Sequence, residues 1–280
     1  MSRRNELGQF LRLMRSRQDP ADHGIPGAGR RRVPGLRREE VAQLTGISNE
    51  YYARLERGVA RSPSPAVVDS LARVLRLSRV ERDHLADLSA AVSRPPAPAP
   101  APVIRPELAA LVDALPGPAL VTNHRFDVLA ANPLARSVFF DFTTLHGGNL
   151  ARFLFTDPLA MRRYLDWAAV AQATVGQLRV ASVRQPRDAE LRSLFADLTA
   201  DGHHFTRMWA AGDVDERSYG RKRLWVDEVG ELDLRFENLH LPEDPSLRLV
   251  VLHADPGSVS EDKLRILASI VVERVSARST

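Results

Sequence analysis

The sequence predicts two domains, an all-α domain of five helices followed by an α+β domain with an antiparallel sheet. Three observations support this fold class. A proline- and alanine-rich run at residues 94–102 divides the 280-residue chain, and such a run favours an extended linker over a helix. Before it, apolar residues recur at helical spacing. After it, strand-like segments lie on either side of a run of helical ones, which is typical of α+β folds.

The first part of the chain is predicted to be helical throughout, apart from one loop. Apolar residues lie three and four positions apart in each segment, as they do along one face of a helix. The loop at 18–35 is rich in glycine and proline, and loops of this length are usually functional or disordered. We predict domains at 1–93 and 105–280 with a linker at 94–104. The five helices are expected at 6–17, twice within 36–58, at 65–77 and at 78–90.

The second part mixes helices and strands. The alternation of Leu232, Leu234 and Phe236 predicts a strand with one buried face. Two strands, a run of helices and three further strands predict an antiparallel sheet with helices packed on one side. The strands are expected at 119–123, 126–131, 221–226, 231–239 and 247–253. Helices are expected at 107–115, 132–140, 158–183, 188–200, 203–211 and 260–275.

Residues 36–58, LRREEVAQLTGISNEYYARLERG, have the spacing of a helix-turn-helix that binds DNA. Ala42 is small where two helices would cross, and Gly46 can end the first helix in the left-handed backbone region. Ser48 can then cap the next helix. A helical hairpin without DNA binding is the alternative. The predicted apolar face between the helices consists of Val41, Leu44, Ile47, Tyr52 and Leu55.

The positive charge of the chain lies in the part that contains this motif. Residues 1–94 have 18 arginines and 11 acidic residues, a net charge of +7, whereas the rest of the chain has a net charge of −3. Arginine makes forked contacts to phosphate and guanine. Solvated helix faces are the alternative, but for the first domain as a whole nucleic acid is the expected partner.

Several classes of protein are not expected. The chain has no cysteine, which excludes disulfides, thiolate metal sites and cysteine catalysis. We find no apolar run near the ~20 residues of a membrane span and no apolar core of a secretory signal, so we expect a cytoplasmic protein. GxSxG, P-loop and GxGxxG motifs are absent, and the DGHH sequence at 201–204 has no second cluster of ligand spacing. We therefore predict no enzyme activity, no metal and no cofactor; no motif for haem or flavin is present.

Both domains resemble known families. ELGQFLRLMRSR, the segment PGLRREEVAQLTGISNEYYARLERG, and SPSPAVVDSLARVLRL resemble the Xre or lambda-repressor-like helix-turn-helix family. DVLAANPLAR, NLARFLFTDP, YLDWAAVAQATVGQLR, MWAAGDV, GRKRLWVDEVGELDLRFENL and LHADPGS resemble the MmyB-like ligand-binding domain of bacterial transcription regulators. The resemblance covers nearly the whole chain. It implies a one-component transcription regulator whose lambda-repressor-like head is joined to a PAS-like sensor domain. Tyr52 and the segment 225–227 depart from the family pattern.

The docking mode of the helix-turn-helix family implies which residues contact DNA. The third helix would enter the major groove, with base and phosphate contacts near its N-terminal end. Arg30, Arg31 and Arg32 suit a phosphate or minor-groove arm, although solvated surface is an equal alternative. The resemblance also implies a structural ion pair between Arg15 and Glu56. The remaining predicted DNA-binding residues are Arg38, Ser48, Asn49, Glu50, Tyr51, Arg54, Arg57 and Arg61.

For the second domain, the resemblance implies a pocket for a small, largely apolar ligand such as a fatty acid. Aromatic side chains could line it; for any single one an ordinary core position is the favoured interpretation, and the resemblance favours a pocket for the set as a whole. Arg152 or Arg179 could bind a carboxylate, with surface ion pairing as the alternative. A protein-interaction module without a small-molecule ligand is the competing hypothesis for this domain. The predicted ligand-binding residues are Phe126, Phe153, Phe155, Trp167, Trp209 and Phe236.

Together, these features predict a homodimeric, ligand-responsive repressor that binds a double-stranded DNA operator. Its two DNA-binding heads would occupy half-sites about one helical turn apart, on the order of 34 Å.

Overall fold

A computed structural model describes most of the chain: residues 3–25, 35–60, 63–91, 104–142, 145–201, 203–212, 214, 218–242 and 244–278. The chain divides into two compact units, one comprising residues 1–98 with 179–187 and the other 99–178 with 188–280. The predicted linker at 94–104 lies, apart from Ile104, outside the described residues.

The N-terminal domain contains the five predicted α-helices in its described part. Leu11, Leu71 and Leu85 are completely buried and form part of its core. The fourth helix ends three residues before its predicted end, because Arg76 adopts a positive φ of 48° and the N–H of Leu77 turns back to the carbonyl of Ala72. The helices are α1 (Arg3–Ser16), α2 (Arg38–Thr45), α3 (Asn49–Glu56), α4 (Pro65–Val74) and α5 (Arg79–Ala91), with a 3₁₀ turn at Pro20–His23.

The second domain is built on a five-stranded antiparallel sheet, as predicted. Its strand order is β2-β1-β5-β4-β3, so the first and last strands along the sequence meet in the middle of the sheet. The predicted α+β, PAS-like fold class is confirmed. The strands are β1 (Ala119–Thr122), β2 (Val128–Ala131), β3 (Tyr219–Val226), β4 (Gly230–Leu241) and β5 (Asp244–His253).

The helices of this domain differ from the prediction in two places. The amphipathic stretch at 158–183 is not continuous: Tyr164 leaves the helix to form a bridge with Leu224, and the N–H of Leu165 donates to the carbonyl of Arg223. A helix after Asn149 was not predicted; the Asn149 side chain caps it. The helices are α6 (Pro106–Ala114), α7 (Pro133–Val138), α8 (Leu150–Thr156), α9 (Pro158–Arg163), α10 (Trp167–Arg184), α11 (Ala189–Asp201), α12 (His203–Ala211) and α13 (Val259–Arg278).

The two faces of the sheet are covered by different helices. Successive side chains of a strand point to opposite faces, so Leu120 and Thr122 of β1 face one way and Ala119 and Val121 the other. The second pair packs in a cluster with the side chains of α6, whereas the sequence predicted helices on one side only. The face of the sheet that carries Leu120 and Thr122 points toward α10. The cluster at α6 consists of Leu108, Val112, Ala119, Val121, Leu247 and Leu249.

Candidate functional site

The turn between α2 and α3 has the geometry that the sequence predicted. Gly46 has a φ of 73°, and its N–H bonds to the last turn of α2. Because this region of backbone conformation is disfavoured for residues with a Cβ, glycine suits the position. The N–H of Ile47 donates to the carbonyl of Ala42 at 3.0 Å. The Ser48 hydroxyl caps α3 by accepting a hydrogen bond from the N–H of Tyr51 at 3.1 Å.

One side of α3 is buried and the other is exposed. Tyr52 and Leu55 are buried, and Tyr51 is half-buried at the boundary. Leu44, which the sequence placed in the apolar face, is 38% exposed, because it lies near the C-terminal end of the short α2. The predicted DNA-contacting residues that are exposed are Arg38, Ser48, Asn49, Glu50, Arg54 and Arg57.

The remaining predicted DNA-contacting residues cannot be placed on this surface. Arg30, Arg31, Arg32 and Arg61 lie outside the described residues. Their roles therefore stay predictions from the sequence.

A buried carboxylate holds α1, α2 and α3 together. Glu56 is 0% exposed, and its Oε1 accepts a hydrogen bond from Arg15 Nε at 2.7 Å. The predicted ion pair is confirmed, and the structure adds a second cation: Arg38 Nε donates to Oε2 at 2.5 Å. Arg15 also donates to the carbonyl of Leu36 at 2.7 Å. Arg38 is thus bonded to the interior of the domain while its half-exposed side chain remains at the surface.

Tyr52 and Gly8 complete the contact between α1 and α3. Burial, followed by the Glu56 carboxylate, raises the pKa of Tyr52, so its hydroxyl stays protonated. A Cβ at Gly8 would lie 2.2 Å from the carbonyl oxygen of Glu56. The same carbonyl accepts a hydrogen bond from Arg12 at 2.8 Å. The sequence analysis did not single out Gly8, since a glycine within a helix does not itself reveal a close helix crossing.

The second candidate site is a cavity of about 70 Å³ between the sheet and α10. It lies on the face of the sheet opposite to α6. Several apolar side chains come from segments far apart in the sequence, and polar groups lie among them. The lining residues are Leu120, Thr122, Phe126, Phe139, Leu150, Tyr164, Val170, Ala173, Thr174, Gln177, Arg221, Lys222, Phe236, Asn238, Arg248 and Val250.

Of the six aromatic residues predicted to bind a ligand, Phe126 and Phe236 line this cavity and the other four pack elsewhere. Phe153 stacks on Phe140, with ring centroids 4.3 Å apart. The ring of Phe155 meets those of Trp167 and Phe205 edge-on. The structure places these side chains among other rings because amphipathic helices bury their large apolar residues against one another.

Trp209 belongs to the same aromatic cluster, 4.9 Å from Phe195 between ring centroids. The proposed carboxylate anchors, Arg152 and Arg179, do not line the cavity either. Arg152 forms an ion pair with Asp197 at 2.6 Å, the surface alternative considered from the sequence.

Three cationic residues that the sequence analysis did not select line the cavity, Arg221, Lys222 and Arg248, and the last two lie against aromatic rings. Arg248 is 8% exposed, donates to Gln177 Oε1, and lies 5.0 Å from the Phe126 ring centroid. Lys222 Nζ lies 4.7 Å from the centroid of Phe236 and 5.9 Å from that of Tyr164. Burial raises the pKa of Tyr164, so its phenol is neutral.

The turn between β1 and β2 positions Phe126 at the cavity. Phe126 has a φ of 68°, a conformation uncommon for residues other than glycine. Asn123 Oδ1 accepts hydrogen bonds from the N–H groups of Arg125 and Asp127 across this turn. Burial alone would raise the pKa of Asp127, but hydrogen bonds from Asn123, Asn149 and Arg125 outweigh it and lower the pKa. The ionised carboxylate therefore stabilises the turn that holds Phe126.

The turn has a further support in Asp188. Its carboxylate lies 2.7 Å from His124 Nε2 and accepts a hydrogen bond from Arg125 at 2.9 Å. Burial lowers the pKa of His124 despite this contact.

The described part of the chain contains neither a cluster of metal-binding side chains nor a membrane-spanning helix. No group of three or more histidine, aspartate or glutamate residues there could hold a metal ion. Nor is any described helix long and apolar enough to span a bilayer.

Two known families match the chain, one over each domain. A family described as the MmyB-like transcription regulator ligand binding domain matches residues 104–267, which is more than half of the chain. A family described as a helix-turn-helix domain matches residues 6–85. No curated protein matches the chain. With a helix-turn-helix head followed by this ligand-binding domain, the chain belongs to the family of MmyB-like transcription regulators.

Proposed function

We propose that this regulator is a homodimeric repressor that acts in the cytoplasm and binds a double-stranded operator under the control of a small, largely apolar ligand such as a fatty acid. The observation that supports the ligand is the cavity between the sheet and α10. Leu120 and Val250 from the sheet, Val170 from α10, and Phe126 and Phe139 give it apolar walls. Concave, mostly apolar sites with a few polar groups are the usual form of small-molecule sites.

The exposed side of α3 would read the operator. Asn49 suits adenine, Arg54 suits guanine, and Glu50 can accept a hydrogen bond from the amino group of cytosine. Tyr51 can donate to a phosphate or contact the methyl group of thymine. Ser48, Arg38, Arg57, Arg61 and Arg30–Arg32 would contact the backbone nearby, and the +7 charge of residues 1–94 favours such contacts.

Regulation requires a difference in affinity. The ligand must bind two arrangements of the dimer unequally, because a ligand with equal affinity for both changes nothing. In the arrangement that binds the operator, the two α3 helices would lie about 34 Å apart, one turn of the duplex.

The DNA-binding proposal is tested by selecting duplexes from a random pool with the full chain and titrating the winner. Arg54→Ala should weaken the free energy of operator binding by roughly 1–3 kcal/mol and relax the sequence preference at one base pair. Arg82→Ala, which removes an exposed arginine of α5, is the charge-matched control and should select the same duplex as the wild type. An equal loss of affinity for all duplex sequences would instead indicate that Arg54 contacts a phosphate. Failure to enrich any duplex would refute the proposal.

The ligand proposal is tested by native mass spectrometry of the freshly purified protein before and after denaturation. A dimer carrying a releasable small molecule is expected. Ala173→Phe should remove that mass because Ala173 lines the cavity, whereas Ala168→Phe, at an exposed position of the same helix, should retain it. A wild-type dimer without bound mass would instead favour the protein-interaction module.

A further inference from the structure

The cavity is too small, in the arrangement of the structure, for a ligand of the proposed class. Its volume is about 70 Å³, whereas an apolar cavity that holds one benzene molecule has a volume of about 150 Å³. A fatty acid of even moderate chain length occupies more space than benzene. Binding therefore requires one part of the wall to move outward, so that a minor, more open arrangement becomes the dominant one.

The part of the wall best placed to move is the turn between β1 and β2. Most lining residues belong to the strands of the sheet or to helices, and three of the four aromatic side chains in the described wall are buried. The fourth, Phe126, is half-buried and lies in the turn. Rotation of its ring toward the solvent would free a space of about the size of a benzene molecule without displacing a strand or a helix.

The backbone of Phe126 is strained in the position that closes the cavity. Its N–H donates to the carbonyl of Asn123 at 3.1 Å, and the N–H of Asn123 donates to the carbonyl of Asp127 at 3.2 Å, so residues 124–126 form a three-residue hairpin loop. Glycine is the usual residue at the left-handed position of such a loop. The φ of 68° at Phe126 is disfavoured for a residue with a Cβ, so a change to negative φ would relieve strain and redirect the ring.

Contacts from outside the cavity hold the turn in this conformation. The Asp188 carboxylate, which does not line the cavity, lies 2.7 Å from His124 Nε2 and accepts a hydrogen bond from Arg125 at 2.9 Å. Asn149 Nδ2 donates to the carbonyl of Arg125 at 2.8 Å. A strained backbone persists only where its surroundings enforce it. Weakening the contact at Asp188 should therefore favour the open turn.

We propose that Phe126 is the gate of the cavity. Its ring limits the space in the closed arrangement, and release of the turn at 123–127 from Asp188 moves the ring outward to admit the ligand. This inference rests on the proposed ligand-binding function and adds the element that controls entry.

Stopped-flow fluorescence with the full chain tests the gate. The probe is N-phenyl-1-naphthylamine, a neutral apolar dye that is larger than benzene and fluoresces in apolar surroundings. The signal assigned to the cavity is the part that Ala173→Phe removes. If opening precedes binding, the observed rate of binding levels off as the dye concentration rises. Phe126→Ala should bind the dye roughly tenfold faster or more at low concentration and lose this plateau, because no ring has to move.

A second variant weakens the turn without changing the wall. Asp188→Asn should raise the plateau of the wild-type rate roughly threefold or more, because it removes the charge that holds Arg125. Asp197→Asn is the matched control. It removes a carboxylate of α11 that pairs with Arg152, away from the turn, and should leave the plateau at the wild-type value.

A wild-type rate that rises in proportion to the dye concentration, without a plateau, would overturn the inference. An unchanged plateau in Asp188→Asn would do the same. Dye binding to Phe126→Ala but not to the wild type would support a gate that stays closed to this probe, whereas binding to neither would overturn it. Operator selection and the mass of a co-purified ligand do not depend on these rates, so the proposed function is judged separately.

Discussion

Replacing Glu56 with alanine should destabilise the N-terminal helices by about 3–5 kcal/mol, the usual cost of removing one partner from a buried ion pair. The structure supports the upper part of this range. Glu56 is 0% exposed and the Arg15 side chain 12% exposed, so the substitution leaves a guanidinium in the interior without its carboxylate. Arg38 is 50% exposed, and solvated pairs are worth ~0–1 kcal/mol. Arg38→Met should therefore cost much less than Glu56→Ala.

Urea unfolding followed by two signals measures this effect in the full chain. All three tryptophans, at positions 167, 209 and 225, lie in the second domain, so their fluorescence reports that domain alone. Far-UV circular dichroism reports the helices of both domains. With a slope of about 1–3 kcal/mol per molar urea, Glu56→Ala should lower the midpoint of the dichroism transition by one molar or more. The midpoint from tryptophan fluorescence should not move.

A double variant separates charge from packing. Arg15→Met with Glu56→Leu removes both charges and keeps apolar volume, and such replacements are often neutral or stabilising. It should unfold near the wild-type midpoint, well above Glu56→Ala. A loss below 1 kcal/mol in Glu56→Ala would refute the buried-charge explanation. Equal destabilisation of the single and double variants would assign the effect to packing.

Two further predictions concern the same domain. Gly8→Ala should lower the free energy of unfolding by about 1–3 kcal/mol, the usual range for overpacking, because the added Cβ would lie 2.2 Å from the Glu56 carbonyl oxygen. Gln9→Ala, at an exposed position of α1, is the control. An unchanged dichroism midpoint in Gly8→Ala would contradict the close approach of the two helices. Burial lowers the pKa of His84 from 6.5 to about 3, so the unfolded chain binds the proton first. The contribution of neutral His84 to the free energy of unfolding is fully present above pH 6.5. It is lost as the pH falls from 6.5 toward 3, by about 1.4 kcal/mol per pH unit. His84→Leu should flatten the dependence of the urea midpoint on pH over this range, and an unchanged slope would show that other groups cause it.

The elements that the sequence predicted best are those whose pattern depends on neighbours in the chain. The turn at Gly46 and Ser48 is one case, because a left-handed glycine and a capping hydroxyl act within a few residues. The stretch at 158–183 was predicted less well. Its helical periodicity continues through Tyr164, but that residue pairs with Leu224 some sixty positions later, and local periodicity carries no information about such a contact.

The cavity was predicted least well, and two of the cationic residues that line it, Lys222 and Arg248, show why. On β3 the side chains of Leu224 and Val226 are buried while Arg223 and Trp225 are exposed, so residues with even numbers face the helices. Lys222 shares that parity, and the alternation in the sequence could have placed it on the inner face. On β5 both parities are apolar because the strand lies in the middle of the sheet and is covered on both sides. For Arg248 the face is decided by its pairing with β1 and β4, which only the folded chain reveals. In an edge strand with one buried face, a charged residue that falls in the buried half of the alternation can therefore be recognised from the sequence, as with Lys222. In a central strand that is covered on both sides, the face of a charged residue can be assigned only when the pairing with neighbouring strands is known.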